Sequence, residues 1–497
     1  MKKNLRWIIE ILILLITLIT VSLLILMGKI GIMGFIVTII ISYILNMIIS
    51  IYIFLHERNF ETKISWLLFL ILIPIIGHIT FLFLGRKNIS QVSKTEYEKE
   101  YQKFSNTKIK NNENISTNDY YENKISSVTQ RTWKQGFFKI YKHGFESYKS
   151  LFKDIESAKH HIHIQMYIVK PSETYDQFKS LLIKKVKEGV EVRMMLDDFG
   201  KWSFDDNEIK EMKKLGIEIK IFNRITFPFI NIKQSFRLHR KMVIIDGNIT
   251  HTGGMNISDE YSSFDKKYGY WVDINARVTG DICNDFSQLF LFNWFQTSKQ
   301  DLEVAKYITK QKNININSKT LLFEEGPDVS EYILEKSLMN CLSFSNKKIR
   351  IATPYFVPSK KIMEQFKFAL LEGVEIEIFI PGKADKKYIL EATHLYLSEL
   401  ILLGAKVYEM KNMFLHSKIG TFDNKYGYIG TINWDMRTLY SNYELLNFVS
   451  GSVVSELDDI FDEYKTYSTF LLPRIKSKKS FKNIIKIIFI RIIAPLM

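Results

Sequence analysis

Two histidine–lysine pairs contain the residue types that can do chemistry in this chain. His239 and Lys241 are separated by one residue, and His416 and Lys418 repeat that spacing 177 residues later. Side chains two apart on a strand point to the same face, so each pair presents an imidazole and an ammonium group together. Two such pairs at one site suit a phosphodiester. One imidazole can attack phosphorus, the other can transfer the proton, and the lysines can neutralise the phosphate oxygens.

The repeat extends beyond these pairs. In each copy an aspartate follows the lysine by five residues, and a glycine and an asparagine follow at equal offsets. The positions are Asp246, Gly253 and Asn256 in the first copy and Asp423, Gly430 and Asn433 in the second. Five matching polar or glycine positions indicate a duplicated unit with a paired active site.

The two aspartates belong to the predicted catalytic set, although their position favours a structural role first. Each lies seven residues from its histidine, so a continuous strand would put it on the opposite face. Asp246-Gly247-Asn248 and Asp423-Asn424 also have the composition of turns. We expect the aspartates to fix a hairpin, with direct catalytic work as the alternative. The amides of Asn256 and Asn433 are expected to bind the substrate phosphate.

Each imidazole needs a partner that fixes its tautomer. The candidates are Asp273, 34 residues after His239, and Glu444, 28 residues after His416. A carboxylate on the far ring nitrogen would orient the imidazole and stabilise its protonated form.

Neither a metal nor a cofactor is expected, because the two lysines supply fixed positive charge. His160, His161 and His163 are clustered, yet no acidic residue or cysteine stands at ligand spacing beside them. Cys283 and Cys341 have no motif spacing and are expected to be buried free thiols.

The surrounding pattern alternates strands and helices. Buried strands are predicted at 162–169, 190–196 and 217–222, with a helix at 175–187; the second half repeats this with strands at 349–357 and 374–380 and a helix at 361–371. The fold class is therefore α/β, with two tandem α/β/α units related by a pseudo-twofold axis. We place the first unit at 133–305 and the second at 306–470.

Three apolar stretches open the chain, at 11–27, 34–55 and 64–84. The last two are long enough to cross a bilayer, and the first is near the lower limit. No small-residue cleavage site follows the first stretch, which makes a signal peptide the weaker interpretation. We predict a membrane anchor over residues 1–87 and a polar linker over 88–132.

The side of the membrane does not follow from charge alone. Pro74 and Gly77 interrupt the third stretch, so a re-entrant hairpin would return the chain to the cytoplasmic face, which is the arrangement we favour; three full crossings would place the following domain outside. The tail, 471–497, alternates basic residues with isoleucine. It is predicted to be an amphipathic helix on an anionic bilayer, or else packed on the domain. The net charge of +15 also favours anionic partners.

The two motifs resemble those of the phospholipase D superfamily, and further landmarks resemble bacterial cardiolipin synthases in particular, from about Ile51 to the end. These landmarks are Arg58, Trp66, Pro74-Ile75-Ile76-Gly77 and Gly85; Asp154-Ile155, Ala158-Lys159 and Tyr167-Ile168; Gly253-Gly254-Met255-Asn256; Thr353-Pro354-Tyr355-Phe356-Val357-Pro358; Gly430-Thr431-Ile432-Asn433-Trp434-Asp435, Arg437 and Asn442-Tyr443-Glu444; and Pro495-Leu496. The chain departs from the pattern in its additional first apolar stretch, at Lys201, and at Phe236 and Leu238.

The resemblance implies transfer of a phosphatidyl group from one phosphatidylglycerol to another, giving cardiolipin and glycerol, at a multi-pass cell-membrane protein. It implies His239 as nucleophile and His416 as acid and then base. A phospholipase D-type hydrolase or a transferase with another acceptor alcohol uses the same residues. A nuclease of the superfamily would share the chemistry, but apolar anchors argue against a nucleic-acid partner. A noncatalytic membrane scaffold is the remaining alternative. The sequence does not indicate an oligomeric state.

Overall fold

The computed structural model describes residues 32–34, 36–37, 39–55, 60–81, 85, 99–101, 119–200, 205–225, 236–263, 269–309, 315–329, 331–383, 385–472 and 481–494. The chain divides into two compact units. We call them the anchor unit, which contains residues 1–89 and 478–497, and the sheet unit, which contains 90–225 and 236–477.

The sheet unit contains both predicted α/β halves. Its first half contains these elements: α4 (Tyr120–Thr129), β1 (Lys134–Tyr141), α5 (Gly144–Ser157), β2 (His161–Met166), α6 (Glu173–Lys187), β3 (Glu191–Asp197), α7 (Asp206–Lys214), β4 (Glu218–Phe222), β5 (Arg237–Leu238), β6 (Met242–Ile245), β7 (Ile249–Gly253), β8 (Tyr270–Val272), β9 (Asn275–Thr279), α8 (Ile282–Ser298) and a short 3₁₀ helix (Val304–Tyr307).

The second half repeats this succession with small changes. Its elements are β10 (Ser318–Glu325), α9 (Ile333–Phe344), β11 (Lys348–Ala352), β12 (Phe356–Val357), α10 (Lys360–Leu371), β13 (Glu375–Pro381), α11 (Lys387–Ile401), β14 (Lys406–Met410), β15 (Met413–Leu415), β16 (Ile419–Phe422), β17 (Tyr426–Gly430), β18 (Trp434–Asp435), α12 (Met436–Ser441), β19 (Asn442–Gly451), α13 (Ser452–Thr466) and β20 (Ser468–Phe470).

One sheet runs through both halves. Its strand order is β20-β14-β13-β11-β16-β17-β19-β10-β1-β9-β7-β6-β2-β3-β4. Read outward from the antiparallel β10–β1 junction, the two sides carry matching strands, with β17, β16, β11 and β13 opposite β7, β6, β2 and β3. This order is the predicted pseudo-twofold arrangement. The sheet is continuous across the predicted division at 305/306.

The predicted strands and helices around the motifs are confirmed, except that the predicted strand at 349–357 is divided into β11 and β12, which belong to different sheets. Their burial explains them: β2 and β3 are covered on both faces, and the apolar side of α6 packs through Tyr175, Phe178 and Leu182. Cys283 and Cys341 are buried free thiols, as expected.

The prediction of a polar linker over 88–132 is wrong for its last part. Asp119 accepts hydrogen bonds from the amides of Tyr121 and Glu122 and so caps α4. Ile125 is 3% exposed and belongs to the core of the second half. One apolar side chain per helical turn was too weak a pattern to reveal this contact.

The first helix that the structure describes in the anchor unit is α1, Ile32–Leu55, which has a mean hydropathy of 2.4. Among the residues that the structure describes, it is the one helix long and apolar enough to cross a membrane. The predicted second stretch at 34–55 matches this helix, whereas the first stretch at 11–27 lies outside the described residues.

The third apolar stretch is broken into two helices, α2 (Phe60–Leu72) and α3 (Pro74–Thr80). They pack on one another so closely that a Cβ at Gly77 would lie 3.1 Å from Leu70 Cα, so the chain folds back at Ile73. In addition, His78 Nε2 lies 2.7 Å from Asn46 Oδ1 and ties α3 to α1. This geometry has the form of the predicted hairpin over its described part.

The tail forms the helix α14, Phe481–Ile493, as its pattern predicts. It packs against α2 within the anchor unit, while Ile485, Ile488 and Phe489 are exposed. The helix thus joins the membrane anchor, and its uncovered apolar side chains are of the kind that a bilayer would bury.

Candidate active site

Two short strands position the motif histidines against the opposite half of the sheet unit. β5, immediately before His239, pairs in parallel with the start of β19, and the His239 amide donates to Tyr443 O over 2.9 Å. β15, immediately before His416, pairs with β8, and the His416 amide donates to Val272 O over 2.7 Å. Each histidine therefore lies beside a strand of the opposite half of the sheet unit.

The carboxylate partners are consequently exchanged with respect to the prediction. His239 Nδ1 lies 3.0 Å from Glu444 Oε2, and His416 Nδ1 lies 2.6 Å from Asp273 Oδ2. Both predicted carboxylates do face an imidazole, but the expected pairing within one half is wrong. In both pairs Nδ1 is occupied, which leaves Nε2 as the atom available to a substrate.

The repeated glycines allow the segments that contain Asp273 and Glu444 to pack closely against the two motifs. A Cβ at Gly253 would lie 2.4 Å from Ile274 O, and one at Gly430 would lie 2.4 Å from Leu445 O. Gly254 lies equally close to the carboxylate itself, because a Cβ added at this position would lie 2.2 Å from Asp273 Oδ1. A side chain at these positions would push the carboxylate strands away from the histidines.

Both lysine side chains fold over their own motifs. Lys241 Nζ donates to His239 O over 2.6 Å, and Lys418 Nζ donates to His416 O over 2.5 Å. Burial lowers the pKa of Lys241 to about 7 and that of Lys418 to about 8, against the opposing charges of Glu444 and Asp273. An entering phosphate anion would favour the cationic form of both lysines.

Burial also lowers the pKa of His239 to about 4 and that of His416 well below its usual value. His239 contributes to the shift at His416, so the two imidazoles interact within one site. His239 is therefore a neutral imidazole near pH 7, the form that can act as a nucleophile.

The two carboxylates differ in charge state. Burial raises the pKa of Asp273 to about 7. Burial acts in the same direction on Glu444, but His239 and Lys241 outweigh it and leave the pKa of Glu444 below its usual value. The Asp273–His416 pair can thus hold a proton near neutral pH, whereas Glu444 stays ionised beside His239. This difference suits His416 to acid catalysis and His239 to attack.

The motif aspartates lie at hairpin turns and serve the backbone. Asp246 accepts hydrogen bonds from the amides of residues 159–161, and Asp423 accepts them from the amides of residues 346–348. Both have positive φ, 51° and 53°. These contacts tie each hairpin to the start of β2 or β11 and support the structural role over direct catalysis.

The motif asparagines are buried beside the site but differ in their contacts. Asn256 Oδ1 accepts from the Ile168 amide over 3.0 Å, and its Nδ2 donates to the Tyr261 hydroxyl. Asn433 is 6% exposed, and its Oδ1 has no hydrogen-bond partner within the described part of the chain. Of the two amides, that of Asn433 is the one free to bind a ligand.

Several supporting residues were not among the predicted site residues. Thr431 and Asn442 donate to the two oxygens of Glu444 and hold it toward His239. The ring of Tyr167 packs edge-on to the His239 ring at 5.0 Å. The Trp271 ring lies 5.1 Å from that of His416. Tyr167, Thr431 and Asn442 were landmarks of the family resemblance, and Trp271 precedes Asp273 by two residues. Neither signal distinguishes a site residue from a core residue.

The clustered histidines on β2 make contacts of a structural kind. His163 stacks on Phe290 with ring centroids 4.4 Å apart, and Arg193 Nη1 lies 3.3 Å from His163 Nε2. Within the described ranges, no group of three or more His, Cys, Asp or Glu side chains is arranged to hold a metal ion.

The fold and its paired histidine–lysine motifs define a member of the phospholipase D superfamily. Its fold is similar to that of the crystal structure of phosphatidylserine synthase from Haemophilus influenzae, with a TM-score of 0.60 and 12% identity over 76% of this chain and 100% of that one.

The family follows from the sequence comparisons. Residues 151–294 and 338–465 match the family model "Cardiolipin synthase, PLD-like domain", and residues 44–86 match "Phospholipase D-nuclease N-terminal". The cardiolipin synthase of Oceanobacillus iheyensis is 31% identical, covering 92% of this chain and 98% of the relative. That of Clostridium perfringens is 30% identical, covering 89% and 96%. The chain belongs to the cardiolipin synthase family.

Proposed function

We propose that this protein is a phosphatidyltransferase that makes cardiolipin and glycerol from two molecules of phosphatidylglycerol. The observation that carries this proposal is the crossed pairing of His239 with Glu444 and of His416 with Asp273, which gives one site two oriented imidazoles. The family relatives named cardiolipin synthase supply the reaction class.

In the first step, His239 Nε2 attacks phosphorus of the donor lipid. The bond from phosphorus to the glycerol headgroup oxygen breaks, and His416 gives that oxygen its proton, so that glycerol leaves. A phosphatidyl group remains on His239. Lys241 and Lys418 neutralise the nonbridging oxygens as negative charge builds up, and the Asn433 amide supports them. We assign Asp246 and Asp423 to the hairpins and not to this step.

In the second step, a free headgroup hydroxyl of another phosphatidylglycerol attacks the same phosphorus. His416, now neutral, takes the hydroxyl proton, and the phosphorus–nitrogen bond to His239 breaks. Cardiolipin leaves with the proton again on the Asp273–His416 pair. The enzyme returns to its starting state, and the transfer needs no redox cofactor because no electron is gained or lost.

The lipid substrate lies in a membrane that the anchor unit is suited to enter. We propose a cell-membrane location with the sheet unit on the cytoplasmic face. The break between α2 and α3 supports this topology, because a hairpin in the third apolar stretch returns the chain to the side from which it entered.

The test uses full-length protein in detergent with labelled phosphatidylglycerol. The proposal predicts cardiolipin and free glycerol in equal amounts, and no product from His239→Ala or His416→Ala protein. Phosphatidic acid with no cardiolipin would instead indicate a hydrolase, and a product formed only with another added alcohol would indicate a different acceptor.

A further inference from the structure

The two halves of the active site match in backbone but not in the polar groups beside their asparagines. In the first half, Val169 forms a bridge with Ile257, and Asn256 precedes that bridge. In the second half, β12 pairs with β18 in the same way, with Phe356 opposite Trp434, and Asn433 precedes it. Ile168 and Tyr355 therefore occupy equivalent positions next to the two asparagines.

In the first half, the amide of Asn256 has no polar atom left for a ligand. Ile168 has no polar side-chain atom, and its amide donates to Asn256 Oδ1 over 3.0 Å. The remaining side-chain nitrogen of Asn256 contacts the Tyr261 hydroxyl. Both polar ends of this amide are therefore committed to the protein.

The second-half position is open. Asn433 Oδ1 accepts no hydrogen bond from any described residue, although the side chain is more than nine-tenths buried. A buried amide oxygen without a partner costs about 1–3 kcal/mol, so such an atom at an active site points to a ligand that supplies a donor.

Tyr355 and Asn433 lie at the same register position, each one residue before the paired Phe356 and Trp434. Tyr355 is partly buried, and its hydroxyl donates to Asp385 Oδ2 over 2.5 Å. Burial and the neighbouring Asp385 carboxylate raise the pKa of Tyr355 well above its usual value, so the hydroxyl stays protonated and its lone pairs remain able to accept. No described residue donates to Asp385 Oδ1 within hydrogen-bond distance.

The pair belongs to the second half of the sheet unit, as His416 does. Gly430, next to the Asn433 loop, donates to Lys418 O over 3.2 Å. Burial lowers the pKa of Lys418 to about 8, and the Asp385 carboxylate is one of the charges that oppose this shift. Asn433, Tyr355 and Asp385 thus belong to the half that contains the general acid–base group, and the Asp385 carboxylate acts on Lys418 of the same motif.

We infer that Asn433, Tyr355 and Asp385 form a subsite for the hydroxyl groups of a polyol headgroup. This inference rests on the proposed function. The subsite would first hold the departing glycerol and then the headgroup of the second phosphatidylglycerol. The Asn433 amide would donate to the phosphate through Nδ2 and accept a headgroup hydroxyl at Oδ1.

The chemistry of the subsite defines its ligand. All three groups present acceptors, so they fit a headgroup that brings several O–H donors. A glycerol headgroup offers two hydroxyls on adjacent carbons, one to attack phosphorus and one to anchor the headgroup. A water molecule cannot reach the anchoring group and attack at the same time. Tyr355 and Asp385 should therefore favour transfer to lipid over hydrolysis.

The experiment separates headgroup recognition from the first chemical step. Full-length Tyr355→Phe and Asp385→Asn proteins are given a phosphatidyl donor whose leaving group is p-nitrophenol, with phosphatidylglycerol as acceptor. Because the p-nitrophenyl headgroup has no free hydroxyl to recognise and p-nitrophenolate leaves without an acid, its release in the first turnover reports attack by His239 alone. Tyr388→Phe is the matched control, since Tyr388 is 51% exposed and lies on α11 close to Asp385 in sequence.

We expect both variants to release p-nitrophenol at rates within about twofold of wild type. Their ratio of cardiolipin to phosphatidic acid should fall by about fivefold to tenfold, as expected for loss of one hydrogen bond of about 1 kcal/mol or slightly more, and KM for the acceptor lipid should rise. Tyr388→Phe should match wild type in both readouts.

Either of two results with the variants would overturn the inference. One is an unchanged product ratio in both variants; the other is p-nitrophenol release that falls as far as cardiolipin formation. A wild-type preference for ethanolamine over glycerol as a competing soluble acceptor would also overturn it, in favour of an ammonium subsite. Failure of the proposed function looks different, because wild-type protein would then form no cardiolipin.

Discussion

Glu444, on a strand of the second half, accepts a hydrogen bond from the His239 imidazole of the first half over a distance of 3.0 Å. Asp273 of the first half binds His416 of the second half in the same manner. Each half therefore contributes a reacting imidazole to one pair and the orienting carboxylate to the other. The duplication produces one active site and not two, because neither half contains a complete histidine–carboxylate pair.

Glu444→Gln tests this crossed pairing. The amide keeps the size of the side chain but removes the charge that fixes the His239 tautomer and stabilises its protonated form. We expect kcat to fall by about 10²–10⁴-fold, with KM changed by less than about threefold. Steady-state kinetics on phosphatidylglycerol measure both values.

The matched control is Glu372→Gln, which makes the same change at an exposed helix end. It should keep wild-type kinetics. If Glu444→Gln protein had wild-type kcat, Glu444 would not orient the nucleophile.

The motif aspartates should affect stability more than chemistry. Asp423→Asn retains the positive φ that asparagine tolerates but loses a charged acceptor for three backbone amides. These amides are partly exposed, so we expect a loss of about 1–3 kcal/mol in unfolding free energy and a fall of several degrees in Tm. Thermal unfolding and kcat are measured on the same preparation.

The kcat of the folded Asp423→Asn protein should stay within about threefold of wild type. Asp246→Asn should behave alike, since its contacts are equivalent. A hundredfold loss of kcat without a change in Tm would instead place these carboxylates in the reaction.

Sequence periodicity was sufficient to predict the long strands and helices of the sheet unit. The strands β2, β3, β11 and β13 are five to seven residues long, carry an apolar residue at least at every second position and are covered on both faces, and each precedes a helix or turn signal. The repeated histidine, lysine, glycine and asparagine positions likewise identified the site without structural information.

The pairing of each histidine with the carboxylate of the opposite half could not be predicted in this way. It depends on β5 and β8, which contain two and three residues and have no periodicity of their own. Their partners are strands of the opposite half, and nearness in sequence favoured the wrong pairing. Such register is set by the packing of the two halves around β1 and β10, which no local pattern encodes.

The pH dependence of kcat/KM should follow the titration of Lys241 and Lys418. With a pKa of about 7 for Lys241 and about 8 for Lys418, the cationic forms dominate below these values and are lost as the pH rises through them. We therefore expect kcat/KM to fall between pH 7 and pH 9, because kcat/KM reports the free enzyme.

Lys241→Arg provides the control, since a guanidinium remains charged throughout this range. Its activity should be lower, but its alkaline decline should shift to higher pH. A profile that rises to pH 9 in wild-type protein would contradict the requirement for two cationic lysines.

The proposed topology is tested by labelling. Lys110→Cys places a thiol in the segment after the anchor helices, and the natural Cys283 and Cys341 are buried and should add little background. An impermeant maleimide should leave intact cells unlabelled and label them after permeabilisation. Labelling in intact cells would place the sheet unit on the outer face.

Trapping of the covalent intermediate is the sharpest test of His239 as the nucleophile. In His416→Asn protein, a phosphatidyl donor with a p-nitrophenol leaving group can complete the first step without an acid, but the second step lacks its base. The proposed two-step mechanism predicts the release of one p-nitrophenol per protein molecule. It also predicts an acid-labile phosphatidyl group on the peptide that contains His239, detected by mass spectrometry. A phosphatidyl group on another residue, or a His239→Asn, His416→Asn double variant that releases the same burst, would contradict it.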